Sequence, residues 1–213
     1  MLIEIIVFPG VDELDALGPL EVLRSAADAG AEFQVRLVSL EGTGDISGGH
    51  GLRFGVDGVL GSLGRPDLLV VPGGGWGKRA AQGAWAEAQR GAVPAAIARV
   101  FREGTILASV CTGAMLVSAT GLLRGRFAVT HHGALVALQE SGAEVVSARV
   151  VDDGDIISAG GVTSGIDLGL YLVERFATRE LAEQIARNLE YERRGQVHVG
   201  AGPAQMRREQ FTL

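Results

Sequence analysis

The chain has one cysteine, Cys111, and it sits where an apolar run hands over to a stretch of small residues, TILASVCTGAMLVSATG over 105–121. Ile106, Leu107 and Val110 are unbroken by charge, so the run reads as a buried strand. Thr112 to Leu116 reads as the start of a helix that stops at Gly121. A strand feeding a helix through a one-residue corner has the geometry of a nucleophile elbow. Free N–H groups and the helix dipole would stabilise negative charge there, so the thiol is expected to ionise below the ~8.5 of a free cysteine. A single cysteine forms no intramolecular disulfide, which leaves two readings: an activated nucleophile or an inert core thiol. Free cysteine is among the most often buried residues, so both stay open on position alone.

Other groups could serve such a thiol. Asp15 and Glu21 flank Gly18-Pro19, and a carboxyl group near the elbow could hold a proton or act as acid–base. Gly73-Gly74-Gly75 follows an apolar run and could offer backbone N–H donors to a developing oxyanion, although a tight turn explains the glycines equally well. His131 and His132 follow the cysteine by some twenty residues. Adjacent residues in an extended segment face opposite ways, so at most one of them can reach the sulfur. Phosphate binding is disfavoured because Lys78 comes too early for a P-loop and no G-x-G-x-x-G occurs. One cysteine and four scattered histidines give no metal-ligand spacing. No serine lies in a G-x-S-x-G context.

The elements that would position these groups alternate. Strands are expected at 3–8, 33–40, 67–71, 105–110, 144–151 and 156–159, a short one at 127–130, and hairpin arms at Leu52–Phe54 and Val56. Helices are expected at 20–29, opened by Gly18-Pro19, at 84–103 with a break near Gly91–Pro94, and at 133–140. Two more follow: one to Phe176 with Ser164 and Asp167 at capping-box spacing, and one capped by Thr178 and running to about Arg193. Strands alternating with helices imply a mostly parallel sheet covered on both faces, with ligands beyond the carboxyl ends of its strands. The acidic loop after the first strand, the triple glycine, Cys111 and the histidine pair all fall at such ends. One domain is expected over 1–195, followed by a polar tail, 196–213.

At 213 residues the chain is long enough to bury a substantial core, and its 47% hydrophobic content is consistent with one. A net charge of −6 argues against a duplex nucleic-acid binder. No stretch approaches the ~20 apolar residues of a membrane span. The amino terminus, MLIEIIVFPG, lacks the basic flank of a signal peptide. A cytoplasmic protein is expected.

Five ordered segments resemble the ThiJ/PfpI superfamily, related to class I glutamine amidotransferase domains: FPGVDELDALGPLEVL (8–23), DLLVVPGGG (67–75), ASVCTGAMLVSATGLLRGRFAVTHH (108–132), GGVTSGIDLGLYLVE (160–174) and LEYERRG (189–195). Within it, Leu14-Asp15 before Gly18-Pro19, Cys111-Thr112-Gly113, Thr130-His131 and the Gly161–Asp167 motif look like the isocyanide hydratase branch. The same signature occurs in the ligand-binding half of arabinose-regulator-type transcription factors, but no helix-turn-helix segment follows here. The resemblance implies an α/β flavodoxin-like three-layer sandwich, commonly a homodimer acting on a small molecule without metal or organic cofactor. It implies Cys111 as nucleophile, Asp15 as proton-sharing partner and Thr112 beside the sulfur. Gly74, Gly75, His131 and Thr163 fall at the oxyanion and substrate-binding positions. Two departures bear on the substrate: His132 stands where this branch usually has tryptophan, and Glu192-Arg193-Arg194 replaces a proline-rich end. Thr112 stands where protease-like relatives carry histidine.

The expected activity is hydration of an isocyanide to an N-substituted formamide. Two alternatives accompany it: a redox or small-molecule sensor working through oxidation of Cys111, and glyoxalase or deglycase activity using His131 as base.

Overall fold

The structure, a computed structural model, describes residues 1–42 and 44–200. Its strands in chain order are β1 (Leu2–Ile6), β2 (Gln34–Ser39), β3 (Asp45–Ser47), β4 (Arg53–Gly55), β5 (Gly58–Val59) and β6 (Leu68–Val71). After these come β7 (Ile106–Val110), β8 (Phe127–Ala128), β9 (Glu144–Val145), β10 (Val150–Asp152), β11 (Ile156–Ala159) and β12 (Val197–Val199). The near-continuous apolar runs form the centre of an eight-stranded sheet in the order β12-β10-β11-β7-β6-β1-β2-β5. β6 and β11 are buried along their whole length, as are four of the five residues in each of β1 and β7. Strands covered on both faces have no need of a polar side, which is why they read as runs rather than alternations.

Every pairing in this sheet is parallel except β10 with β11. The short connection around Asp153-Gly154 leaves room only for an antiparallel hairpin. The expected strand 144–151 is divided, β9 pairing with β8 and only β10 entering the main sheet. Of the hairpin arms expected near 52–56, the first overlaps β4, which pairs with β3 at 45–47, while Val56 lies in no strand. Residues 197–199, assigned to the tail, form the edge strand β12 beside β10; the tail beyond Gly200 lies outside the described residues.

Among the described residues seven α-helices cover the sheet: α1 (Glu13–Asp28), α2 (Ala84–Arg90), α3 (Ala92–Val100), α4 (Gly113–Ser118), α5 (Leu135–Glu140), α6 (Ser164–Phe176) and α7 (Arg179–Asn188). α1, α6 and α7 pack together, and α2 to α5 pack together, giving the flavodoxin-like α/β arrangement with a helical layer on either side. Thr178 caps α7 as expected, its hydroxyl accepting the Leu181 N–H at 3.1 Å. The capping box at Ser164 does not form. Asp167 instead accepts from Arg149 at 2.7 Å and from the Tyr191 hydroxyl at 2.9 Å. No helix among the described residues is long and apolar enough to cross a membrane.

One difference changes the site. α1 begins at Glu13, well before Gly18-Pro19. Asp12 supplies the start signal, its Oδ1 accepting the Leu14 N–H at 3.2 Å, and Glu13 and Asp15 lie in the first turn where negative charge is favoured. Pro19 is carried inside the helix, at the cost of the hydrogen bond its nitrogen would have given the Asp15 carbonyl. There it packs on α6: a Cβ added to Gly165 would lie 3.2 Å from Pro19 Cδ. Asp15 is therefore a helix residue turned inward rather than a loop carboxylate.

Candidate active site

β7 delivers Cys111 to the carboxyl edge of the sheet, beside the end of β6, where Val71 is in register with Ser109. Cys111 has φ 55°, one of three non-glycine residues with positive φ among the described residues. Such a conformation costs on the order of 1–3 kcal/mol and persists only where its surroundings impose it. Here they do. Its N–H is shared between the carbonyls of Ala159 at 3.0 Å and Gly160 at 2.8 Å, and its own carbonyl accepts the Thr130 hydroxyl at 2.8 Å. On the far side α4 presses against β6: a Cβ on Gly113 would meet the Val71 carbonyl oxygen at 1.9 Å, so only glycine can follow Thr112. The expected elbow is present, and it is strained.

Asp15 is fully buried, and its Oδ2 accepts the Gly73 N–H at 3.0 Å. Its Oδ1 has no N–H or O–H partner. The group that shares its surroundings is the Cys111 thiol, and each perturbs the other's ionisation. Burial, reinforced by the charge of Asp12, raises the Asp15 carboxyl to about 8 against the Gly73 and Cys111 hydrogen bonds that favour its ionised form. Burial also pushes the Cys111 thiol up, with the Asp15 charge adding to it and the backbone of Thr112 opposing. The lowered thiol expected from the helix terminus is thus reversed, because α4 contributes one short helix end while a nearly sealed sulfur loses most of its hydration. At neutral pH the pair holds both its protons. Alkylation of Cys111 by iodoacetamide is accordingly expected to be slow at pH 7, with a midpoint above that of a free thiol and a lower one in Asp15→Asn. A midpoint well below ~8.5 would contradict this assignment.

Cys111 is 5% exposed, yet it lines a cavity of about 790 Å³. Thr112, Gly74, Gly75 and His131 line the same cavity, so it gathers most of the residues expected from sequence. Their roles differ in detail. The Gly74 N–H is already donated to the Thr112 hydroxyl at 2.9 Å, leaving Gly75 as the freer backbone donor of the two. His131 lines the cavity and His132 does not, with their rings 4.0 Å apart. Partial burial, together with the neighbouring His132, lowers the His131 pKa and keeps the ring neutral at pH 7. Thr163 is exposed and outside the lining, its hydroxyl accepting Arg149 at 3.1 Å, while the preceding Val162 faces the cavity in its place.

Several residues have roles here that the sequence motifs did not specify. Thr130 clamps the elbow from another strand's end, Gly73 fixes Asp15, and residues 75–78 and 80–82 line the cavity. His50 reaches the rim, its Nε2 3.5 Å from Asp12 Oδ2. One oxygen each of Asp12 and Glu13 and a ring nitrogen of His50 lie within 4.8 Å of one another, the one grouping among the described residues that could hold a cation. Glu13 Oε1 meanwhile accepts the N–H groups of His50 at 2.9 Å and Leu52 at 3.2 Å, which pins the 48–52 loop to α1.

Taken together, a strained, cavity-facing cysteine and a buried carboxyl group that share protons can add S–H across a small electrophile. Known proteins with this framework vary in their chemistry. An isonitrile hydratase of Pseudomonas putida is 32% identical over 186 residues, 87% of this chain and 76% of that protein. A deglycase of Pyrococcus horikoshii is 33% identical over 129 residues, 59% of this chain and 72% of that protein. Among solved structures, a ThiJ/PfpI family protein from Pseudomonas syringae superposes with a TM-score of 0.80 at 28% identity, covering 98% of this chain and 84% of that one. Residues 1–175 match the DJ-1/PfpI family as a whole, and with the elbow, the sheet order and the relatives in agreement, the chain belongs to that family.

Proposed function

We propose that the protein hydrates an isocyanide to an N-substituted formamide, with Cys111 as nucleophile and Asp15 as acid–base partner. The observation that carries this reading is the buried Cys111–Asp15 pair, of which Cys111 lines the cavity and Asp15 lies behind it, out of contact with solvent. An isocyanide carbon accepts a nucleophile and a proton at the same atom. Sulfur bonds to that carbon as the Asp15 carboxyl gives it a proton, and the thiol proton passes to Asp15. The net step adds S–H across the carbon and yields a thioimidate, with Asp15 unchanged. Water then adds to the C=N carbon, the nitrogen gains a proton, and the C–S bond breaks to release the formamide and restore the thiol. Because the pair starts with both protons, no resting thiolate is needed. Gly75, at the cavity edge, is the backbone donor for the oxygen of the tetrahedral adduct.

The proposal includes a homodimer in the cytoplasm acting on a small molecule, with no call on a cofactor, nucleic acid or membrane. A glyoxalase- or deglycase-type activity is the second reading, favoured by the neutral His131 in the same cavity and by the deglycase relative. Purified protein assayed in parallel with an alkyl isocyanide and with methylglyoxal separates the two. Formamide formation supports the hydratase, and methylglyoxal consumption without formamide supports the alternative.

A further inference from the structure

The cavity is large for the chemistry assigned to it. An isocyanide group is two atoms, on the order of two water volumes or about 60 Å³, against about 790 Å³ of space. Most of what binds there is therefore the substituent, and the wall that meets it is residues 75–82. That wall is fixed. Gly10, at the end of the first strand's loop, lies so close that an added Cβ would sit 2.6 Å from the Gly83 nitrogen. The segment closes on itself through Arg79 N–H to the Trp76 carbonyl at 2.9 Å and Ala80 N–H to the Gly75 carbonyl at 3.0 Å.

Its largest apolar member, Trp76, lines the cavity while half-buried. The ring is held from behind by Trp85 of α2, with centroids 5.1 Å apart and planes at 76°. Arg79, in a left-handed conformation at φ 47°, places its guanidinium 5.0 Å from the centroid of the Trp85 ring. Neither Trp85 nor Arg79 lines the cavity. Trp76 thus meets an edge-to-face indole that is itself covered by the guanidinium of a residue in an unusual backbone conformation. The charged side chains of the lining, Asp12 and Lys78, have opposite signs and select for no net charge.

We infer that this site takes a neutral electrophile bearing an aromatic ring, which packs against Trp76. The inference rests on the hydratase reading for the reacting group but not for the ring. An aromatic contact is worth roughly two- to tenfold in affinity beyond the area it buries.

The test pairs two formamides of similar size, N-benzylformamide and N-(cyclohexylmethyl)formamide, titrated calorimetrically into the wild type, Trp76→Phe and Trp76→Ala. In parallel, the wild type is assayed with the two corresponding isocyanides. Tighter binding of the benzyl compound by about threefold or more, kept in Trp76→Phe and lost in Trp76→Ala, is expected. Equal binding of the two ligands by the wild type, or a preference that survives Trp76→Ala, overturns the inference. Turnover of both isocyanides without aromatic preference in binding leaves the hydratase standing and removes the aromatic site. Benzyl-selective binding lost in Trp76→Ala, with neither isocyanide turned over, does the reverse.

Discussion

Replacing Cys111 by alanine is expected to reduce formamide formation from an alkyl isocyanide to the uncatalysed rate, a loss of at least about 10³-fold. No other group lining the described cavity can form the covalent thioimidate, since Cys111 supplies its only sulfur. The substitution is conservative for the fold. Alanine at 111 keeps the left-handed backbone and the hydrogen bonds to Ala159, Gly160 and Thr130, and removes only the sulfur atom. Circular dichroism and thermal unfolding should therefore match the wild type closely. Equal rates in the two proteins would end the hydratase reading outright.

The second large effect joins function to stability. Asp15→Asn is expected to lower the rate by about 10²-fold or more, because the amide cannot pass a proton between sulfur and carbon. The same change is expected to flatten the pH dependence of stability. An unfolded aspartate ionises near 3.9, whereas Asp15 in the fold does so at about 8. Between those values the unfolded chain holds fewer protons than the native one, so rising pH favours unfolding. The wild type should lose stability steadily from about pH 4 to about pH 8, by up to about 4 kcal/mol at pH 7 on ~1.4 kcal/mol per unit. Asparagine lacks that slope, although its buried NH₂ gives back about 1–3 kcal/mol if it finds no acceptor. Denaturant unfolding at three pH values checks the slope independently of the offset. A variant that loses activity while keeping the wild-type slope would mean that Asp15 does not carry the raised carboxyl. A carboxyl group held against its own solvation costs the fold stability.

The sequence was informative where a pattern has one physical reading. An apolar run, a cysteine and then small residues closing at glycine can hardly be other than a strand meeting a helix, and Cys111 stands at that corner. The parallel sheet was legible for the same reason, since β6 and β7 show no polar face. What the letters concealed was burial. Asp12, Glu13 and Asp15 together read as a solvated loop, and Gly18-Pro19 read as a helix start. The Asp12 cap begins the helix earlier and turns Asp15 inward. The thiol was expected to be acidic and is not because it is buried, with the inward-turned Asp15 adding to the effect: a terminus dipole can be inferred from order in the chain, but loss of hydration cannot. Thr163 and Val162 show a similar limit, because the motif names both and only the fold decides that valine faces the cavity. The wall at 75–82 left no periodicity to read, being glycine-rich and held by contacts from Gly10 and Trp85.

The dependence of kcat/KM for isocyanide hydration on pH tests the central claim most directly, since it reports the free enzyme's essential groups. With the doubly protonated Cys111–Asp15 pair as the reactive form, the rate should be level near neutrality and fall through about 8 as Asp15 ionises. A rate that instead climbs through that range, following thiolate formation, would contradict the account.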